Sequence, residues 1–342
     1  MAFETIAQIP SPAEIKKLIP LDPALAKIKS NRDTAIKNIF LGTDDRFILI
    51  IGPCSAHNSD AVSAYVSKLA SIQEKVKDKL LLIPRVYTNK PRTTGEGYKG
   101  IMHQPNPMAQ PDMVAGIKAM RKMQIQVLKE SHLSSADEML YPTNLGYVDD
   151  LLSYIAVGAR SVENQKHRLT ASGVDVAVGM KNPTSGDIGV MLNSIKAAQL
   201  PHVFTYNSEE VKTSGNQIAH AILRGAVNKY GRNIPNYHYE DLVYVAEQYY
   251  KRALQNPAVI VDCNHANSMK QHMEQPRIAK EILYSRRYNR DVKSIIKGLM
   301  IESYLVDGKQ DVSGTIFGQS ITDPCIGWEA SEKLILEIAD QL

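Results

Sequence analysis

Cysteine is scarce: the chain of 342 residues has three, Cys54, Cys263 and Cys325. So small, odd and widely spaced a set excludes a disulfide-framed secreted scaffold. Charge of one sign is thin as well, since 40 Lys and Arg stand against 36 Asp and Glu for a net charge of +4. Without a long basic block the chain has no dense stripe to follow a nucleic-acid backbone, although small anions remain suitable ligands. No apolar run approaches the roughly 18 residues of a membrane helix, so no membrane partner is expected. The start, MAFETIAQIPSPAEIKKL, lacks the basic and then apolar regions of a signal peptide, and the expected compartment is the cytoplasm. A Gly-rich dinucleotide fingerprint, an internal repeat and a low-complexity tract are also missing.

What is present is an ordinary globular composition, 44% hydrophobic and 22% charged, enough for a sizeable core. After a mixed stretch over 1–45, which holds a helix ended by Gly42, short apolar runs alternate with longer amphipathic ones. The runs are FILIIG (47–52), LLLIPRV (80–86), IQVLKE (125–130), YIAVGAR (154–160), VAVGMK (176–181), AILRG (221–225), AVIVDCNH (258–265) and GLMIES (298–303). Most are apolar at successive positions, as strands covered on both faces should be. Between them AVSAYVSKLASIQEKV, YVDDLLS, VENQKHRLTA and YEDLVYVAEQYYKRAL read as helices. Eight strands alternating with helices predict a (β/α)8 TIM barrel over 46–342, preceded by an N-terminal extension over 1–45. A doubly wound open sheet is the alternative, without a fingerprint to support it. Residues 202–217 break the alternation and predict an inserted hairpin before the sixth strand.

At or just beyond the ends of these runs come Cys54, Arg85, Lys90, Glu130, Arg160, Lys181, Arg224, His265 and Glu302. A barrel gathers its strand ends at one mouth, where barrel enzymes place their sites. Any one of the five cations alone is equally well a surface side chain or half of an ion pair. Together they would repel one another unless a multiply charged anion joined them, which points to a ligand bearing phosphate, carboxylate or both. The loop NKPRTTGEGYKG (89–100), with its cations and hydroxyls on a glycine-rich backbone, reads either as a solvated loop or as a phosphate clamp. A second set, Cys54, His265, Glu302 and Asp323, mixes thiol, imidazole and carboxylate. A borderline divalent ion such as manganese, iron, cobalt or zinc accepts that mixture. Their wide separation carries no spacing signal, and Cys54 also reads as a small buried hydrophobe, His265 as a core histidine.

In order along the chain, IGPCSAH, PRVYTNKPRTT, VGAR, GMKN, ILRG, DCNHANS, MIES and SITDPCIGW resemble the motifs of class I 3-deoxy-D-arabino-heptulosonate 7-phosphate synthase (DAHP synthase). The resemblance runs from about residue 30 to the C-terminus. It implies condensation of phosphoenolpyruvate with erythrose 4-phosphate, the first step of aromatic biosynthesis, with release of phosphate. Carried over by motif, Cys54, His265, Glu302 and Asp323 hold a divalent metal. Arg85, Arg160, Lys181 and Arg224, with Glu138 and the backbone amide of Ala159, receive phosphoenolpyruvate. Pro91, Arg92 and Thr93 receive the phosphate of erythrose 4-phosphate, and Lys90 lies between the substrates as a proton donor of lowered pKa, with Cys54 and His265 also in the catalytic set. The resemblance thereby implies that the loop NKPRTTGEGYKG is a phosphate clamp rather than a solvated loop. The family also implies a homodimer or homotetramer with an arm reaching a neighbour. The KPRTT loop sets the chain apart from 3-deoxy-octulosonate 8-phosphate synthase on the same barrel, and all four ligands argue against a non-catalytic sugar-phosphate sensor.

Some stretches depart from the family pattern. TTGEGYKG is one residue longer, and Pro183 stands where glycine is usual. Feedback-inhibited members carry a Thr-Pro-Gln-Tyr run where this chain reads MLYPTNLGYVDD, and a serine where it has Asp175. Both stretches line the family's aromatic amino-acid effector site, so weak or absent feedback inhibition is expected.

Overall fold

A computed structural model describes residues 2–342. Eight parallel strands form the central sheet: Phe47–Gly52, Leu80–Pro84, Ser135–Glu138, Leu152–Val157, Ala177–Lys181, His220–Leu223, Val259–Asp262 and Ile296–Glu302. Counted in that order they are hydrogen-bonded as 2-1-8-7-6-5-4-3. The remaining seam, between the second and third, is closed by a parallel bridge from Arg85 to Ala136. The sheet is therefore a barrel, as the alternation of runs predicts.

Two apolar layers follow from the alternation of side chains along each strand. Leu49, Ile51, Leu82 and Val261 face the surrounding helices. Ile48, Ile50, Leu81, Ile83, Ala156, Ile260 and Met300 face the barrel interior, where Ile36, Ile39 and Phe40 join them. These last three belong to helix α2 (Pro23–Leu41), which follows helix α1 (Pro12–Leu18). Asp22 caps α2 by accepting from the Ala24 amide, and Gly42 ends it in the left-handed conformation at φ 77°. Burying each of the three side chains contributes about 1.5–3 kcal/mol, so the extension is also the plug of the barrel's lower end.

The remaining helices lie outside the strands: α3 (Ser59–Val76), α4 (Met113–Ser131), α5 (Gln165–Ser172), α6 (Ile188–Gln199), α7 (Tyr239–Lys251), α8 (Gln275–Tyr288), the short α9 (Arg290–Ile295) and α10 (Trp328–Gln341). Among the described residues no helix is long and apolar enough to cross a membrane. Between α6 and the sixth strand, Val203–Tyr206 and Glu209–Lys212 pair antiparallel as the expected hairpin. Its two-residue turn, Asn207 and Ser208, has φ of 49° and 67°, the twist that suits such hairpins.

Two expected elements are corrected. IQVLKE is not the third strand but the end of α4, and Glu130 stands exposed near the helix terminus, bonded to Gln126. Buried Met120, Met123 and Val127 recur at helical spacing, a period that a six-residue apolar window cannot show. The true third strand, SADE, has little apolar character because its last two residues, Asp137 and Glu138, reach the site. YVDDLLS is likewise not a helix. A 3-10 turn, Pro142–Tyr147, leads through a turn into the fourth strand.

Candidate active site

The strands deliver their polar residues to one end. Cys54 lies two residues beyond the first strand, Arg85 directly follows the second, and Glu138 ends the third. Ala159 and Arg160 follow the fourth, Lys181 closes the fifth, and Arg224 follows the sixth. His265 lies just past the seventh and Glu302 ends the eighth, while Asp323 comes from the loop before α10. All of these but Glu302, together with Lys90, Pro91, Arg92 and Thr93, line one cavity of about 290 Å³. Glu302 is buried and reaches the site through Arg85, whose Nη2 stands 2.8 Å from Glu302 Oε1. Of the residues expected at the mouth from sequence, Glu130 alone is elsewhere.

The cavity is short of anions. Burial weakens the hold of Arg224 on its proton; Asp262 counters this, and neighbouring Arg160 adds to the weakening. Arg85 is desolvated too, yet Glu302 keeps it firmly protonated. Lys181 Nζ lies 3.7 Å from Glu138 Oε2 and 3.9 Å from Asp262 Oδ2, too far for a strong bond to either. Arg85 Nε and Arg224 Nη1 are buried donors without a hydrogen-bond partner. Leaving such groups unpaired is costly, and a bound anion is what would satisfy both.

The four residues expected to hold a metal stand as two pairs. Cys54 Sγ lies 3.4 Å from Asp323 Oδ2, and His265 Nε2 lies 3.9 Å from Glu302 Oε1. Among the described residues no three Cys, His, Asp or Glu side chains form a ready-made cage. Lys90 instead spans the first pair, its Nζ 2.7 Å from both Cys54 Sγ and Asp323 Oδ2. The donor set nevertheless fits a divalent cation. Glu302 Oε1 is buried without an aligned hydrogen bond and faces His265 Nε2, while Asp262 Oδ2 stands 2.8 Å from His265 Nδ1 on the far side of the ring. A carboxylate behind an imidazole is the usual way to orient a metal-binding histidine. His265 itself adopts a left-handed backbone at φ 51°, a conformation that needs surrounding structure to hold it.

Lys90 corrects one expectation. Burial is the largest influence and favours the neutral amine, but Cys54, Asp323 and Glu302 together outweigh it, so the pKa is raised rather than lowered. Asp323 is correspondingly held well below the ordinary carboxylate range, with Lys90 the main cause that overcomes burial. Burial and Glu302 push the Cys54 thiol up to about 11.

The loop carrying Lys90 and Arg92 is anchored at its base. The Asp137 carboxylate accepts from the Thr88 amide at 2.9 Å and the Thr88 hydroxyl at 2.5 Å. The Lys90 amide donates to Lys99 O, joining the two arms. Gly100, at φ 104°, passes so close to Thr88 that a Cβ would lie 2.3 Å from Thr88 O. Arg92 Nε donates to Tyr98 O, which orients the guanidinium within its own loop.

Sequence reasoning missed Tyr87, Asp137, Asp262 and Lys270. Two consecutive acids closing SADE, and an aspartate inside the apolar run AVIVDCNH, were signals for Asp137 and Asp262. Tyr87 reads as core and Lys270 as surface; only the fold brings them to the cavity wall. A larger hollow of about 760 Å³ lies beside the barrel, between the hairpin and the 3-10 turn. Its volume is greater, but the convergence of cations marks the smaller cavity as the site of chemistry.

The sequence model of the DAHP synthetase I family matches residues 24–336. The phospho-2-dehydro-3-deoxyheptonate aldolase of Haemophilus influenzae is 38% identical over 347 aligned positions, covering 99% of this chain and 92% of that protein. The Phe-sensitive phospho-2-dehydro-3-deoxyheptonate aldolase of Escherichia coli K12 is 37% identical, covering 96% of this chain and 95% of that protein. Among solved structures, the phospho-2-dehydro-3-deoxyheptonate aldolase of Francisella tularensis superposes with a TM-score of 0.92 at 32% identity, covering 99% of this chain and 98% of that one.

Proposed function

The chain belongs to the DAHP synthetase I family, and on that premise we propose how its own residues carry out the family's reaction. The activity is that of a DAHP synthase, the first step of aromatic biosynthesis, and its substrates are phosphoenolpyruvate and erythrose 4-phosphate. The observation that carries our reading is the pair of buried, unpartnered donors, Arg85 Nε and Arg224 Nη1, in a cavity lined by five strand-end cations.

In this reading Arg85, Arg160, Lys181 and Arg224 receive the phosphate and carboxylate of phosphoenolpyruvate, with the Ala159 amide adding a donor and Glu138 steadying Lys181. Pro91 shapes the loop so that Arg92 and Thr93 grip the phosphate of erythrose 4-phosphate. Two multiply charged anions approach only when both are neutralised, so the cations supply charge balance and orientation together. Carbon 3 of the enol phosphate then bonds to the aldehyde carbon. Lys90, an ammonium between the two phosphate sites, donates a proton to the oxygen that the aldehyde leaves behind. Carbon 2, left electron-poor by that bond, takes up the oxygen of a water, which gives up a proton. The new hydroxyl then loses its own proton and becomes the ketone as the bond between carbon 2 and the phosphate oxygen breaks, and inorganic phosphate leaves.

Cys54, His265, Glu302 and Asp323 would hold a divalent metal, with Asp262 orienting His265. When bound, the ion supplies Lewis-acid polarisation of an oxygen or activation of a water. Manganese, iron, cobalt and zinc all suit one thiol, one imidazole and two carboxylates.

Three further assignments belong to this reading. The enzyme acts in the cytoplasm, as a homodimer or homotetramer in which the N-terminal extension contacts a neighbour. Aromatic amino acids inhibit it weakly or not at all, since the hollow beside the barrel carries Asp175.

One assay tests the reaction. Phosphate release from phosphoenolpyruvate should require erythrose 4-phosphate and should be slight with arabinose 5-phosphate or with no aldehyde. A preference for arabinose 5-phosphate would assign the chain to octulosonate chemistry, and no turnover with either, to a sugar-phosphate sensor.

A further inference from the structure

Tyr87 lines the anion cavity and is buried, 3% exposed. The guanidinium carbon of Arg85 lies over its ring, 3.9 Å from the centroid, and Lys181 Nζ lies 5.7 Å from the same centroid. The phenol hydroxyl reaches Met300 Sδ at 3.7 Å. Two cations assigned to one substrate thus share a single aromatic surface.

The arrangement has a physical reason. Cations gathered in a buried cavity repel one another before the substrate arrives. A carboxylate would neutralise them, but its oxygens would compete for the same N–H groups that the substrate needs. An aromatic face attracts a cation through its quadrupole and offers no competing oxygen. Packing against a ring takes up no edge donor: Arg85 Nη1 donates to Pro53 O and Nη2 pairs with Glu302, while Nε has no partner and stays open to an anion.

We propose that Tyr87 is a positioning residue for phosphoenolpyruvate: its ring holds the Arg85 guanidinium, which is paired through Nη2 with Glu302, and the Lys181 ammonium in the places where the substrate anion meets them. This rests on the assignment of Arg85 and Lys181 to phosphoenolpyruvate. The contribution comes from the ring face, so the hydroxyl is dispensable and the electron density of the ring is not.

The test separates these terms. Tyr87→Leu, Tyr87→Phe and Arg85→Ala are compared for phosphoenolpyruvate affinity by calorimetry and for the KM of each substrate, alongside thermal unfolding. Tyr87→Leu should raise both the Kd and the KM for phosphoenolpyruvate about tenfold and leave the KM for erythrose 4-phosphate within twofold. Tyr87→Phe should restore wild-type values. Because a buried leucine also changes packing, phenylalanines carrying one, two and three ring fluorines at position 87 form a second series. Each fluorine drains the ring face at nearly constant shape, and the KM for phosphoenolpyruvate should climb step by step. A flat fluorine series, a phenylalanine variant as weak as the leucine one, or equal increases for both substrates would overturn the proposal. If Arg85→Ala leaves phosphoenolpyruvate affinity unchanged, the substrate assignment beneath it fails instead.

Discussion

The Lys90 ammonium stands 2.7 Å from the Asp323 carboxylate and 2.7 Å from Cys54 Sγ, two atoms that are themselves 3.4 Å apart. One cation therefore bridges two of the four residues assigned to the metal. If Cys54 and Asp323 held a divalent ion, they would no longer need Lys90 for charge balance, and the lysine would be available to the substrates.

That relationship makes Cys54 the first residue to test. It is the soft member of the donor set, and thiolate ligands favour thiophilic ions. Cys54→Ser should bind zinc and iron at least tenfold more weakly in equilibrium dialysis and lose most of its turnover. Full activity of this variant after chelation and return of manganese would show that Cys54 is not a ligand.

The two phosphate sites should separate by mutation. Arg92 is fixed within the loop by its bond to Tyr98 O, whereas Arg160 sits beside Arg224 beyond the fourth strand. Losing a charge-assisted contact costs about 1.5–3 kcal/mol, a tenfold effect or more. Arg92→Ala should raise the KM for erythrose 4-phosphate well beyond that for phosphoenolpyruvate, and Arg160→Ala should do the reverse. Steady-state kinetics with each substrate varied in turn decides it: equal effects on both substrates would remove the partition.

Much of this site was legible in the chain because its residues sit where apolar runs stop. The runs mark strand ends, and a barrel turns strand ends into one mouth, so Arg85, Lys181, Arg224 and Glu302 could be placed from order alone. What order could not supply was electrostatic detail. Lys90 among cations reads as a lysine of lowered pKa, but the anions around it come from positions near 54, 302 and 323, which only folding brings together. The third strand was hidden for a related reason. SADE spends two of its positions on Asp137 and Glu138, so function erased the apolar signature that identified its neighbours, while the end of α4 imitated it.

Acid should loosen the lower end of the barrel through His220. This residue is wholly buried, its Nε2 is 2.7 Å from the Tyr154 hydroxyl, its Nδ1 faces Ile218 O, and its ring stacks on Phe40 of the plug at 4.2 Å. Burial lowers its pKa from 6.5 to about 4, the bond to Ile218 O offsetting only part of that. A folded pKa below the unfolded one means that the unfolded chain takes up a proton which the folded chain refuses. The stability from a neutral His220 is therefore complete above pH 6.5 and declines as the pH falls towards 4. At pH 5 the loss should be about 2 kcal/mol. Urea unfolding at pH 7.5 and 5 should show His220→Gln losing less stability between the two than the parent chain. An identical loss in both proteins would mean that His220 does not carry this term.

The proposed lack of feedback inhibition rests on the hollow of about 760 Å³ beside the barrel, lined by Leu145, Asp149, Asp150, Asp175 and the hairpin residues Phe204, Tyr206 and Lys212. Most of its charges are already paired. Lys16 binds Asp149 at 2.5 Å, Lys29 binds Asp33 at 2.6 Å, and Arg121 binds Asp150 at 2.7 Å. Asp175 and Lys212 have no such ion pair among the described residues. An amino acid entering here presents a carboxylate, and Asp175 sets a negative charge where feedback-sensitive members of the family carry a neutral hydroxyl. Leu145 and Gly146 also stand in place of a rigid proline and a hydrogen-bonding amide, and a polar ligand loses heavily when its partner is gone. Phenylalanine, tyrosine and tryptophan at millimolar concentration should each change the rate less than twofold, and Asp175→Ser should increase the response. Strong inhibition of the unmodified enzyme by any of the three would mean that Lys212 receives the carboxylate and Asp175 the ammonium, and that the hollow still works as an effector site.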